Sequence, residues 1–127
     1  MVSAMLVYEK LDAWKAAHEL GLAVWRVTEE WSGAEGTRMR DELRSIAITA
    51  PLRIAHGTGR LVNKSYQRYV DMALGYLMEL HYLLRRCEEL GVLSPPRRRE
   101  LDGLRGRAVF YTTRLYVSLA VGSDDDG

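Results

Sequence analysis

Glu42-Leu43-Arg44-Ser45-Ile46 and then Ile48-Thr49-Ala50-Pro51-Leu52-Arg53-Ile54-Ala55-His56-Gly57-Thr58-Gly59-Arg60 decide the fold of this chain. At about 100° per residue, Glu42, Ser45, Thr49, Arg53, His56 and Arg60 fall within one narrow sector of a helix. Leu43, Ile46, Ala50, Ile54 and Gly57 make a core stripe on one side of that polar line. Ile48, Leu52 and Ala55 make a second apolar patch on the other. A surface helix packed on one core needs a single apolar stripe, so this segment is expected to meet more than one partner. Pro51 lies inside the pattern. Proline removes a backbone donor and crowds the preceding turn, so it either kinks the helix or ends it. The apolar rhythm continues through Ile54 to Gly57, which favours a kink.

Working outward, three breaks divide the sequence into four helical segments: Ser32 to Gly36, Gly57 to Asn63, and Gly91 to Pro96. The first helix is expected over about 10–31, with Leu11, Trp14, Ala17, Leu20, Val24, Val27 and Trp31 at three- and four-residue steps. Gly21, Leu22 and Trp25 widen its apolar arc to roughly twice the usual ~100°. The second spans about 38–56. The third starts at Asn63 or Ser65, both good caps, and is placed over about 65–90, with Gly91 as its stop. Its face is Tyr66, Tyr69, Met72, Ala73, Tyr76, Leu77, Leu80, Leu83, Leu84 and Cys87. The fourth spans about 95–121, opening with Ser94 as cap and Pro95 at the first helical position. Leu101, Leu104, Ala108, Tyr111, Leu115 and Leu119 supply its bundle face. Residues 122–127 read as a disordered acidic tail. No period-two alternation marks a strand. The predicted fold is all-α: an antiparallel up-down-up-down four-helix bundle in one domain over 1–121, its second helix kinked at Pro51.

The 127 residues fit one domain, and 47% hydrophobic with 28% charged residues is ordinary for a globular chain. The net charge is +1, and Asp124, Asp125 and Asp126 offset a mildly basic body. Such a balance permits a nucleic-acid partner without demanding one. The single cysteine, Cys87, excludes an internal disulfide and fits a reducing compartment; on the apolar face of its helix it reads as a structural thiol. No signal peptide or membrane span is legible, so a cytoplasmic protein is expected. The first three helices carry more apolar surface than one interior consumes, which predicts a homo-oligomer.

Several motifs carry a resemblance. Tyr8, Leu11 and Trp14 match an opening aromatic–leucine–tryptophan pattern. Glu42-Leu43-Arg44-Ser45-Ile46, then Thr49 to Gly57, then Arg60, align with Gln-Leu-Arg-Arg-Ala, Ser-Ile-Pro-Ala-Asn-Ile-Ala-Glu-Gly and Arg. Ala73, Gly75, Leu77, Glu79 and Leu80 follow Ala-x-Gly-Ser-Leu-x-Glu-Leu, with Tyr76 in place of the serine. The chain thus resembles the bacterial "four helix bundle protein" family, which includes the protein encoded in intervening sequences of large-subunit ribosomal RNA. It is more distantly similar to the accessory protein of diversity-generating retroelements. The resemblance spans about Tyr8 to Leu119. It implies a ring, typically a pentamer, without catalytic activity, and a ribosomal or RNA partner. In the retroelement relative, nucleic acid and a reverse transcriptase are the partners. The departures fall on the polar stripe, where Glu42, Ser45, Arg53 and His56 replace glutamine, arginine, asparagine and glutamate. A buried charge must be paired, so Arg53 is expected to pair with Glu42 or Glu79, within or between subunits.

Other chemistry finds little footing. His18, His56 and His81 lie on three helices without the paired ligands of a metal-binding bundle. Gly57-Thr58-Gly59-Arg60 lacks the spacing and preceding strand of a phosphate loop, and reads as a helix-ending turn. No nucleophile–base arrangement is legible. No cofactor or metal and no catalytic residue is expected. Arg97, Arg98 and Arg99 open the fourth helix, and Arg107, Phe110, Arg114 and Val117 form an outward strip suited to phosphate contact and base stacking. A solvated face or a subunit contact is the plainer reading of the same residues. The expected function is a non-enzymatic, oligomeric structural or adaptor bundle, open to association with RNA or a ribonucleoprotein. The alternatives are a nucleic-acid-binding accessory subunit of a reverse transcriptase and a small-ligand or metal-binding bundle enzyme.

Overall fold

A 3-10 turn, Val7–Lys10, leads into four helices: α1 (Asp12–Val27), α2 (Gly33–Thr58), α3 (Asn63–Glu89) and α4 (Pro95–Asp126). The structure, a computed structural model, describes residues 7–126, with side chains through Val121. Each helix packs on the next in sequence and α4 closes back onto α1, while the diagonal pairs stay apart. That is the contact pattern of a four-helix bundle.

The interior is built from the predicted stripes. Leu20, Leu43, Ile54, Leu77, Leu80, Leu84 and Leu101 are fully or almost fully buried, each worth about 1.5–3 kcal/mol of transfer free energy. Alanines line the seam between α1 and α2: Ala13, Ala16, Ala17 and Ala23 on one helix, Ala47 and Ala50 on the other. Small residues let these backbones approach, and a methyl group on Gly21 would sit 3.5 Å from the Ala47 carbonyl oxygen.

The helix ends depart from the sequence expectation for identifiable reasons. α1 stops at Val27, not Trp31. The Thr28 hydroxyl donates to the Val24 carbonyl at 2.8 Å, and Arg44 Nη2, reaching over from α2, donates to the Trp25 carbonyl at 3.1 Å. The Trp25 carbonyl, which the Glu29 N–H would take in a longer helix, is thereby satisfied by Arg44. α2 starts at Gly33 rather than about Arg38, and runs past His56 to Thr58. The Gly-rich stretch is its first turn: Gly33 enters at φ 77°, a left-handed conformation that glycine adopts without strain. Pro51 lies inside α2 and does not end it. α3 begins at Asn63, with Val62 rather than Asn63 or Ser65 in the capping position.

α3 closes as expected on Gly91 (φ 79°), with Gly91 N–H donating to Glu88 O at 3.0 Å and Val92 N–H to Cys87 O at 3.1 Å. Those two bonds make a Schellman motif. Ser94 Oγ accepts from Arg97 N–H at 3.4 Å at the head of α4. α4 continues to Asp126, through residues expected to form a disordered tail. Nothing from Gly122 onward is a proline, and Ser and Asp cost a helix only tenths of a kcal/mol each.

Candidate functional site

The polar stripe of α2 divides by charge. Glu42 and Ser45 face a groove of about 590 Å³ that Ile46 on α2 and Glu79, Tyr82 and Leu83 on α3 complete. Both carboxylates are exposed. Thr49 turns its hydroxyl back onto the Ser45 carbonyl at 2.7 Å. The other end gathers at one aromatic ring of α3, with Arg60 just beyond the end of α2. His56 lies 5.2 Å from the Tyr69 ring, and the Arg60 guanidinium sits 5.5 Å over it. Arg60 Nε also donates to Ser65 Oγ at 3.1 Å.

Arg53 does not pair with Glu42 or Glu79 within the chain. Its Nε is buried without a hydrogen-bond partner, and the ion pairs among the described residues do not include it. Eleven residues of helix separate Arg53 from Glu42, about 16 Å at 1.5 Å per residue, which puts that pair out of reach.

Beside the stripe lies an apolar face. Leu22 (56% exposed) and Trp25 (50%) on α1 meet Ile48 (58%) and Leu52 (56%) on α2. His18, Gly21, Leu22, Trp25, Arg44, Ile48 and Pro51 enclose a shallow groove of about 120 Å³ there. Arg44 organises this face. Its guanidinium lies 4.1 Å over Trp25, and its Nε donates to the buried Thr28 hydroxyl at 2.9 Å. Sequence periodicity did not single out Arg44, because its partners Trp25 and Thr28 lie at the other end of an interhelical contact that no local pattern marks. Met78 and Tyr82 on α3 are exposed as well, with Tyr82 on the groove that holds Glu42 and Ser45.

The six basic-strip residues fall into two groups. Arg97 Nη1 donates to Glu100 at 3.2 Å. Arg98 Nε donates to Glu88, and its Nη1 lies 3.8 Å from Asp102. Asp102 also accepts from Arg105 Nε at 2.7 Å and meets His81 Nδ1 at 3.2 Å. Burial alone would raise the Asp102 carboxyl, but the hydrogen bonds and charges of Arg105 and His81 outweigh it and hold it below the usual carboxylate range. Arg97 and Arg98 are therefore committed to internal carboxylates. Arg99, Arg107, Phe110 and Arg114 are exposed, and these three arginines take no part in the ion pairs found among the described residues. The Arg114 guanidinium lies 5.6 Å over Phe110 and that of Arg107 lies 5.9 Å over Tyr111.

Cys87 is fully buried. Burial, with a smaller contribution from the Glu42 charge, pushes its thiol up to about 11, so it is not a nucleophile at neutral pH. Among the described residues no cluster of three or more His, Cys, Asp or Glu side chains could hold a metal ion. No described helix is long and apolar enough to cross a membrane.

By fold the molecule is an all-α four-helix bundle, and its described residues include exposed apolar and cationic side chains. The sequence profile described as "23S rRNA-intervening sequence protein" matches residues 9–105, and the chain belongs to that family, the one its motifs resemble. No curated protein matches it.

Proposed function

We propose that this chain is a non-enzymatic, self-assembling bundle that serves as a structural or adaptor module for RNA or a ribonucleoprotein in the cytoplasm. The observation that carries the assembly is the contiguous face of Leu22, Trp25, Ile48 and Leu52, each at least half exposed. Large apolar side chains grouped in this way favour burial against a partner. The RNA association takes its support from the family's description. The family resemblance supports a closed ring, with five copies as the expected number.

In that ring Arg53 would find its carboxylate on a neighbour, with Glu42 and Glu79 as the candidates, so that the stripe of one copy lies against another. An antiparallel course of α3 and α4 is supported by the pairings of Gln67 with Tyr116 and His81 with Asp102. A bend at Pro51 would shape the α2 side of the interface. The family match gives no support to the reverse-transcriptase alternative.

Sedimentation of the purified protein at micromolar concentration tests the reading. The parent should run as a discrete oligomer and an Ile48→Glu, Leu52→Glu double variant as a folded monomer. A parent that sediments as a single copy refutes it.

A further inference from the structure

From Gly103 to Val121, α4 carries Arg105, Arg107 and Arg114 and no carboxylate. Arg105 is bound to Asp102, while Arg107 and Arg114 take part in no ion pair among the described residues. Gly103, Phe110 and Val117 recur every seven residues on the side opposite the buried Leu101 and Ala108. Phe110 is 56% exposed and Val117 55%. A phenyl ring held out in water beside unneutralised arginines is poorly explained by the stability of one bundle.

We propose that this outward face of α4, centred on Phe110 and flanked by Arg107 and Arg114, binds single-stranded RNA. An unpaired base stacks on the Phe110 ring and the arginines take the neighbouring phosphates. The proposal rests on the RNA association proposed above and narrows it to one face and one kind of RNA.

Three observations carry the choice. The ring is already oriented, edge against the Tyr111 ring at 5.2 Å between centroids, with the Arg114 guanidinium 5.6 Å over it. Aromatic platforms with arginines alongside suit bases in any sequence. Second, Arg107 and Arg114 are seven residues apart, about 10.5 Å along the helix axis, so both reach one strand running past Phe110. Third, the helix is bare upstream: a methyl group on Gly103 or Gly106 would have nothing within 4 Å, which leaves room for a strand against the backbone. A duplex makes poor use of these features, since its bases are already stacked and its major groove is too deep and narrow to admit side chains.

Titrate the full chain at low salt with fluorescent oligouridylate, and separately with a perfect RNA duplex carrying the same number of phosphates. The single strand should bind more tightly. Phe110→Ala should weaken it about 5-fold to 100-fold while Phe110→Trp retains it. Arg107→Gln and Arg114→Gln should each flatten the salt dependence by about 0.7 in log–log slope. All three positions are surface ones, and circular dichroism confirms the fold. If the duplex binds as well and Phe110→Ala changes nothing, the single-strand proposal fails while RNA association stands. If neither RNA binds, both fail. If Phe110→Ala changes the sedimentation of the assembly, the face is covered by another copy, and the proposal is overturned.

Discussion

Replacing Gly57 with alanine should destabilise the bundle, against the sign that helix propensity predicts. Gly57 lies within α2, where alanine in place of glycine ordinarily gains about 0.5–1 kcal/mol. Here an added Cβ would lie 2.7 Å from Tyr66 Cδ1, 3.1 Å from Cε1 and 3.3 Å from the Tyr66 carbonyl oxygen. The first contact is closer than real methyl groups approach, and the carbonyl belongs to the α3 backbone, which blocks relief by a simple shift. The Tyr66 ring is itself partly buried; burial raises its hydroxyl pKa. Overpacking of this kind costs about 1–3 kcal/mol. The net expectation is a loss of about 1 kcal/mol, or roughly 3–6 °C in Tm for a chain of this size. Thermal and denaturant unfolding at matched protein concentration would measure it, because assembly makes Tm concentration-dependent. Gly103→Ala is the control: open space surrounds that position, so it should gain stability by about 0.5–1 kcal/mol. Adding Tyr66→Leu to Gly57→Ala should recover part of the loss. A Gly57→Ala variant that melts at or above the parent would refute the reasoning.

Two further outcomes follow from the interhelical polar contacts. Arg44→Lys should cost about 1–2 kcal/mol in urea unfolding, because lysine cannot keep the planar stack on Trp25 together with both donated bonds; an unchanged midpoint would reduce this cluster to decoration. Asp102 has a lowered folded-state pKa, so its contribution is present above the unfolded value of ~3.9 and fades as pH falls through the lower folded one. Asp102→Asn should therefore lower stability by about 1 kcal/mol at neutral pH and by progressively less in acid, and parallel stability–pH curves for parent and variant would contradict this.

The periodic parts of the molecule were legible because one-dimensional spacing encodes them. Leu43, Ala50, Ile54 and Gly57 are buried as their spacing predicts, and Ile48 and Leu52 are exposed. Helix ends were less legible. The stop after Val27 depends on Arg44, sixteen residues away from Thr28 in sequence, and no local pattern carries that information. The basic strip shows the same limit. Arg97, Arg98 and Arg99 read identically, yet Glu88, Glu100 and Asp102 engage two and leave the third to solvent. Arg53 is expected beside a carboxylate because a buried charge needs a partner, but Glu42, although in line with it on the same stripe, is out of reach within the chain.

The lone thiol of Cys87, sealed in the core with its ionisation suppressed, makes the chain carry its own gauge of opening. An alkylating reagent meets that sulfur only in molecules whose helices have come apart, so labelling in native buffer counts excursions rather than surface chemistry. Anything that clasps the bundle, whether a neighbouring copy or a strand of RNA, must slow that count.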